Sequence, residues 1–226
     1  MRFIVIEGLD GSGKSTQIKF VEKYFSERNQ KTRFIHFPRT DSPIWGELIS
    51  RFLRGEFGDI ETVDPYLVSL IYAGDRNDAA KSLNEWMDDG FLVIADRYLY
   101  SNIAFQCAKI ESSIEKEKLA KWIKHLEYNY YNIPVPDLNL YLNVPFQFTS
   151  TSLAGSRSGE DRTYLNGAAD IHESDLEFQR RVRDIYLWQV ASNDDFEMID
   201  CSDEEGNMLD PEQIAPKIIY MIENKS

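Results

Sequence analysis

Cysteine is scarce in this 226-residue chain: there are two, Cys107 and Cys201, and no C-x-x-C pair. A disulfide scaffold is excluded, and the usage suits a reducing compartment in which both thiols serve packing. Histidine supplies no alternative, because His36, His125 and His172 are scattered and no cysteine cluster accompanies them, so no zinc site is expected. Positive charge is short as well, with 25 Lys and Arg against 38 Asp and Glu and a net charge of −13. That balance argues against non-specific binding to nucleic acid, and any phosphate site must concentrate its cations locally. No apolar run approaches the roughly 18 residues of a membrane span, and no basic stretch leads into an apolar leader segment. The expectation is a cytoplasmic protein without membrane or nucleic-acid partners. Internal repeats and Pro-rich or Ser-rich linkers are missing too, so one domain is expected over 1–226.

Apolar runs of strand length alternate with segments of helical period. The strand candidates are 2–6, 32–36, 91–95 ("FLVIA"), 137–142 ("DLNLYL") and 196–200. This alternation predicts an α/β fold of three layers, α/β/α, around a five-stranded parallel sheet. Ile18, Val21 and Phe25 mark the buried stripe of the first helix, and Leu67, Leu70 and Ile71 that of a later one. The last helix is announced by Asp210 as cap, Pro211 at its first position and Gln213 completing a capping box, with Ile214, Ile218 and Ile222 as its stripe. Residues 149–172, "TSTSLAGSRSGEDRTYLNGAADIH", are polar and poor in periodicity, and a loop of that length is read as a lid.

The first strand runs directly into "EGLDGSGKST". Gly8, Gly13, Lys14 and Ser15 fit G-x-x-x-x-G-K-[ST], with a strand before and a helix after, as a phosphate-binding loop requires. Gly8, Gly11 and Gly13 let the chain curl so that the N–H groups of the loop, through Ser12 and on to Thr16, face one anion at the positive end of the helix. Lys14 then reaches the β- and γ-phosphates of a nucleotide, and the Ser15 hydroxyl can hold Mg²⁺. These parts place the chain in a P-loop NTPase fold. The third strand ends in Asp96-Arg97-Tyr98, and ligands of open parallel sheets bind beyond the carboxyl ends of strands. Asp96 is thus a second candidate for organising Mg²⁺, and Arg97 for gripping another phosphate.

Further stretches carry a resemblance. "EGLDGSGKSTQ", "FPR" at Phe37–Arg39, "YAGDR" at Tyr72–Arg76, "DRYLYSNIAFQ" at Asp96–Gln106 and "PDLNLYLNV" from Pro136 together resemble the thymidylate kinases, which make dTDP from dTMP and ATP. The resemblance covers nearly the whole chain. It implies ATP as donor, dTMP as acceptor, Mg²⁺, and a homodimer. By the same resemblance, Asp10 is implied at the sugar 3′-hydroxyl and Arg39 and Arg97 at the dTMP phosphate. Phe105 is implied against the sugar, Tyr72 beside thymine, Arg76 on a thymine carbonyl, and Asn102 or Gln106 on the remaining polar edge. Tyr72 and Arg76, four apart, share a helix face, as a flat apolar partner with a donor beside it must.

The mechanism this implies needs no general base, because a phosphate monoester loses its second proton near ~6. Charge dispersal is left to Lys14, Arg97 and a lid arginine, with Arg157 and Arg162 available. Two departures bear on the lid. Some relatives carry an arginine in the phosphate loop where this chain has Gly11, and a D-R-x-E where it has Asp170-Ile171-His172-Glu173. The alternatives are a kinase of another pyrimidine nucleotide or a non-kinase nucleotide switch; the N-K-x-D of a GTPase does not occur.

Overall fold

The computed structural model describes residues 2–154, 165, 170–173 and 175–225. Its centre is a five-stranded parallel sheet in the order β2-β3-β1-β4-β5, made of β1 (Phe3–Glu7), β2 (Thr32–His36), β3 (Leu92–Asp96), β4 (Leu138–Asn143) and β5 (Phe196–Asp200). β1 and β3 are buried along their whole length, which is why they read as unbroken apolar runs. Side chains alternate between two cores. Phe3, Val5, Val93, Ala95 and Tyr141 face one side, under α3 (Pro65–Asp88), α4 (Leu99–Cys107), α5 (Ser113–Lys124) and α7 (Leu176–Ser192). Ile4, Ile6, Ile94, Leu138 and Leu140 face the other, under α1 (Lys14–Ser26) and α8 (Pro211–Asn224). The three-layer expectation holds.

β1, β3 and β4 each lie one residue later than the apolar runs suggest. Glu7, Asp96 and Asn143, polar as they are, stay in the strand ladders. Register aligns Ile6 and His36 with Asp96, so polar strand ends gather at one edge of the sheet. α8 carries the predicted cap, its Gln213 side chain accepting from the Asp210 N–H at 3.1 Å, and buries Ile214, Ile218 and Ile222.

α3 corrects its predicted stripe. Leu67 is 62% exposed and Leu70 is 37% exposed, while Val68, Tyr72, Ala79 and Leu83 are buried. The Asp64 cap, which accepts from the Tyr66 and Leu67 N–H groups, fixes where the helix begins. Its packing on α2 (Trp45–Leu53) and α4 then selects a face one residue round from the one the leucines mark. The lid span is corrected at its start, since 149–154 belong to a helix, α6 (Phe146–Ala154). Arg157 and Arg162 lie outside the described residues. α5 runs on into a π-helical turn, His125–Tyr130, which has no sequence signature and sets Glu127 inside the protein. Among the described residues no helix is long and apolar enough to cross a membrane.

Candidate active site

The loop after β1 closes on α1 through Gly13, which caps the helix at φ 82° without a side-chain hydrogen bond. An L side chain pays heavily for that backbone, so glycine is required there. The uncapped first turn leaves its N–H groups to an anion. Lys14, 7% exposed, folds back under the loop and donates from Nζ to the Gly8 carbonyl (3.3 Å) and the Leu9 carbonyl (3.0 Å), 3.8 Å from Asp96 Oδ1. Burial pushes its pKa down and Arg97 adds to that, while Asp96, Asp10 and Glu7 oppose it. The carboxylates around it thus offset part of the cost of burying its charge.

Beyond β3 the backbone turns through Arg97 at φ 68°, whose N–H donates to the Ile6 carbonyl. The Arg97 guanidinium donates from Nη2 to Asp10 Oδ1 (2.8 Å) and from Nη1 to the Ser101 hydroxyl (3.1 Å), and lies 5.1 Å from the Phe105 ring. Beneath it sits Glu7, fully buried, which sequence reading overlooked. Its carboxyl accepts from the Tyr98 N–H (2.9 Å), the Ser101 N–H (3.1 Å), the Ser101 hydroxyl and the Tyr186 hydroxyl (3.0 Å). α4 has no side-chain cap of its own at Tyr98, so Glu7 supplies one from the neighbouring strand. Burial raises the Glu7 pKa despite the hydroxyl and Arg97 beside it. A glutamate closing an apolar strand was the available signal.

Asp96 lies between Lys14 on Oδ1 and His36 on Oδ2. His36, half-exposed and also overlooked, stands with Nδ1 3.2 Å from Asp96 Oδ2, whereas Oδ1 is buried without a hydrogen bond. Burial alone would raise this carboxyl; Lys14, His36 and Arg97 together hold it below the usual carboxylate value.

These groups open into one cleft of about 1270 Å³. Asp10 to Thr16 line it, as do Arg39, Tyr72, Arg76, Asp96, Arg97, Asn102, Phe105 and Gln106. Every described candidate except Gly8 is therefore at one surface, and Gly8 sits behind Lys14. Arg39 follows β2 and is turned toward α3, its Nε donating to Asp75 Oδ1 (2.9 Å) and its Nη2 to Asp78 (2.6 Å). Gly46 of α2 packs on this loop so closely that an added Cβ would lie 2.6 Å from the Arg39 and Thr40 carbonyls. Gly46→Ala is expected to destabilise the fold by at least about 1 kcal/mol through overpacking against backbone, measured as a lowered urea midpoint at unchanged slope.

At the far end, Tyr72 meets Phe52 edge-on (6.4 Å), and Arg76 is paired with buried Glu127. Both polar side-chain atoms of Gln106 are buried without a partner. His172 is 6% exposed among Phe52, Phe105 and Phe178, with centroids 4.9 to 5.5 Å away, and lines the cleft. Gln179 donates to both Asp10 Oδ2 (3.3 Å) and the His172 carbonyl (2.9 Å), fastening this wall to the phosphate loop. On α7, Arg181 donates to the Ala108 carbonyl and Arg183 to Asn143.

The geometry offers an anion cradle with a buried lysine at one end and a flat, partly apolar slot with unsatisfied amides at the other. Comparison with known proteins agrees. The family model described as Thymidylate kinase matches residues 6–210. A probable thymidylate kinase of Pyrobaculum aerophilum is 34% identical over 224 residues, 98% of this chain and 96% of that protein. The thymidylate kinase of Mycobacterium tuberculosis (strain ATCC 25618 / H37Rv) is 30% identical over 189 residues, 83% and 85% of the two chains. In fold, the solved structure of the Candida albicans thymidylate kinase superposes with a TM-score of 0.72 at 21% identity, covering 99% of this chain and 91% of that one. With the phosphate loop, the Asp96-Arg97 turn and the slot on one cleft, and a family match spanning nearly all of it, the chain belongs to the thymidylate kinase family.

Proposed function

We propose that this chain transfers the γ-phosphoryl group of ATP to dTMP, giving ADP and dTDP. The observation that carries the reading is that one cleft joins the phosphate loop to the slot between Tyr72, Phe105 and Asn102. Donor phosphates lie on the loop N–H groups and Lys14, and the acceptor phosphate lies against Arg97 and Arg39. An oxygen of the dTMP phosphate attacks the γ-phosphorus, and the bond from that phosphorus to the β,γ-bridging oxygen breaks. The attacking oxygen is already ionised near neutral pH. The protein therefore aligns the two phosphates and spreads positive charge around the transferring group, with Lys14 and Arg97 from the described residues and Arg157 or Arg162 from the lid.

The residues present suit Mg²⁺. Asp96 Oδ1 is a buried carboxylate oxygen with no hydrogen bond, and Ser15 is exposed at the start of α1. One carboxylate and one hydroxyl are the sparse ligand set of an ion that keeps waters and takes substrate phosphates. When bound, it neutralises phosphate charge. Among the described residues no group of three or more His, Cys, Asp or Glu forms a denser metal site.

Asp10 serves both Arg97 and the sugar 3′-hydroxyl in this reading, Phe105 packs on the sugar, and Tyr72, Arg76, Asn102 and Gln106 hold the base. The chain works as a single domain in the cytoplasm and pairs with a second copy. The exposed Leu67 and Leu70 of α3 are apolar surface for such a pairing. A coupled assay with ATP and Mg²⁺ comparing dTMP, dUMP, UMP and CMP tests the assignment. The expected result is the highest kcat/KM for dTMP. No turnover with any of the four overturns it, and a preference for CMP or UMP moves the assignment to another pyrimidine.

A further inference from the structure

We infer that Glu127, which does not line the cleft, is a positioning residue that sets the enzyme's choice between pyrimidines. Through Arg76 and Asn102 it selects a 4-oxo base with an N3–H over a 4-amino base. The inference rests on the reading of the Tyr72 end of the cleft as the base slot.

Glu127 is fully buried on the π-helical turn and Arg76 is 2% exposed. Arg76 donates from Nε to Glu127 Oε2 at 2.5 Å and from Nη2 to Oε1 at 2.7 Å. This two-point pairing fixes the plane of the guanidinium and commits two of its five N–H groups, leaving both on Nη1 and the second on Nη2 as donors for a ligand. Asn102 donates from Nδ2 to the same Glu127 Oε1 (2.9 Å) and to the Ser69 carbonyl (3.1 Å). A carboxylate and a backbone carbonyl can only accept, so the NH₂ of this amide must face them and cannot be exchanged with its oxygen. Asn102 Oδ1 is left buried and without a partner, on a residue that lines the cleft.

The slot is thus polarised by one carboxylate behind it: a donor at Arg76 and an acceptor at Asn102. Thymine and uracil carry a carbonyl at C4 beside an N–H at N3, the complement of that pair. Cytosine carries an amino group beside a bare N3 and would set donor against donor and lone pair against lone pair. Gln106, with both amide atoms unpartnered, can turn to suit either base and does not discriminate.

The test is the kcat/KM ratio of dTMP to dCMP, with dUMP as the control for the 5-methyl group, together with calorimetric binding of dTMP and dCMP without ATP. Glu127→Gln keeps the shape but must point its own NH₂ at Arg76 or at Asn102. Facing Asn102, it sets donor against donor, so that amide keeps only the Ser69 carbonyl and its Oδ1 is no longer locked toward the slot. The expected result is a fall of about tenfold to a hundredfold in the dTMP:dCMP ratio, in turnover and in binding alike. Glu127→Asp, which keeps acceptors toward both partners, should retain the preference within about threefold. A folded Glu127→Gln variant that loses all acceptors equally, or keeps the wild-type ratio, overturns the inference. If that variant does not fold, binding of N3-methylated dTMP to the native protein decides, and affinity equal to that of dTMP overturns it. Failure of the kinase reading looks different: no turnover by the wild type, with the dTMP over dCMP binding preference intact and lost in Glu127→Gln.

Discussion

Lys14→Ala is expected to lower kcat for dTMP phosphorylation by about 10²–10³-fold, with kcat/KM for ATP falling at least as far. The size follows from where the ammonium sits. It is 7% exposed, shielded from water by its own loop, and surrounded by Asp96, Asp10 and Glu7. Charge placed there in advance acts at low effective dielectric and needs no reorganisation as the transferring group develops its own. Alanine removes that charge and also frees the carbonyls of Gly8 and Leu9 that Lys14 now holds. Lys14→Met separates the two effects, since it fills the space without the charge. Steady-state rates at saturating dTMP and varied ATP read the outcome. A Lys14→Met enzyme with kcat within about threefold of wild type would mean that Lys14 packs the loop and takes no part in stabilising the transition state.

How much of this was legible beforehand depended on the range of the interactions involved. The phosphate loop is local, set by glycines and a lysine within one strand-to-helix turn, and its reading needed no tertiary knowledge. The central strands were legible because burial on both faces leaves an unbroken apolar run. Their ends were misplaced by one residue for a functional reason, as Glu7 and Asp96 are polar groups retained in the ladder to reach the site. α3 shows the limit of periodicity. Val68 and Leu67 are both apolar, and only packing on α2 and α4 decides which of them is covered. The site residues missed are His36, which reaches Asp96 from the neighbouring strand, and acids and amides whose partners are distant in sequence. Glu7 binds Ser101, Glu127 binds Arg76 and Gln179 binds Asp10. No spacing rule links positions that far apart.

His172→Phe is expected to flatten the stability of the protein toward acid, and the sign follows from its burial. Burial first, then the charges of Lys109 and Arg97, bring the His172 pKa down to about 3 against the opposing pull of Asp10, whereas the unfolded imidazole titrates near 6.5. Between those values the unfolded chain binds a proton that the folded chain refuses, so stability is lost as pH falls from about 6.5 toward 3. By pH 5 the loss relative to pH 7 reaches about 2 kcal/mol, and a folded value of 4 in place of 3 would barely change it, since both lie well below pH 5. Neighbouring groups do not mimic the effect. Lys109, lowered to about 7, destabilises as pH falls from 10.5 to that value, above this window. Asp96, held low, contributes stability that is lost only below about 3.8. Glu7, raised by burial, works in the opposite sense, its contribution being lost as pH climbs above 4.5 through its raised folded value, equally in both proteins. Phenylalanine fits a site already walled by Phe52, Phe105 and Phe178 and has no proton to refuse. Urea unfolding at pH 7 and pH 5 should therefore show the wild type losing about 2 kcal/mol more than His172→Phe, and equal losses in the two proteins would mean that the folded state protonates His172 as readily as water does.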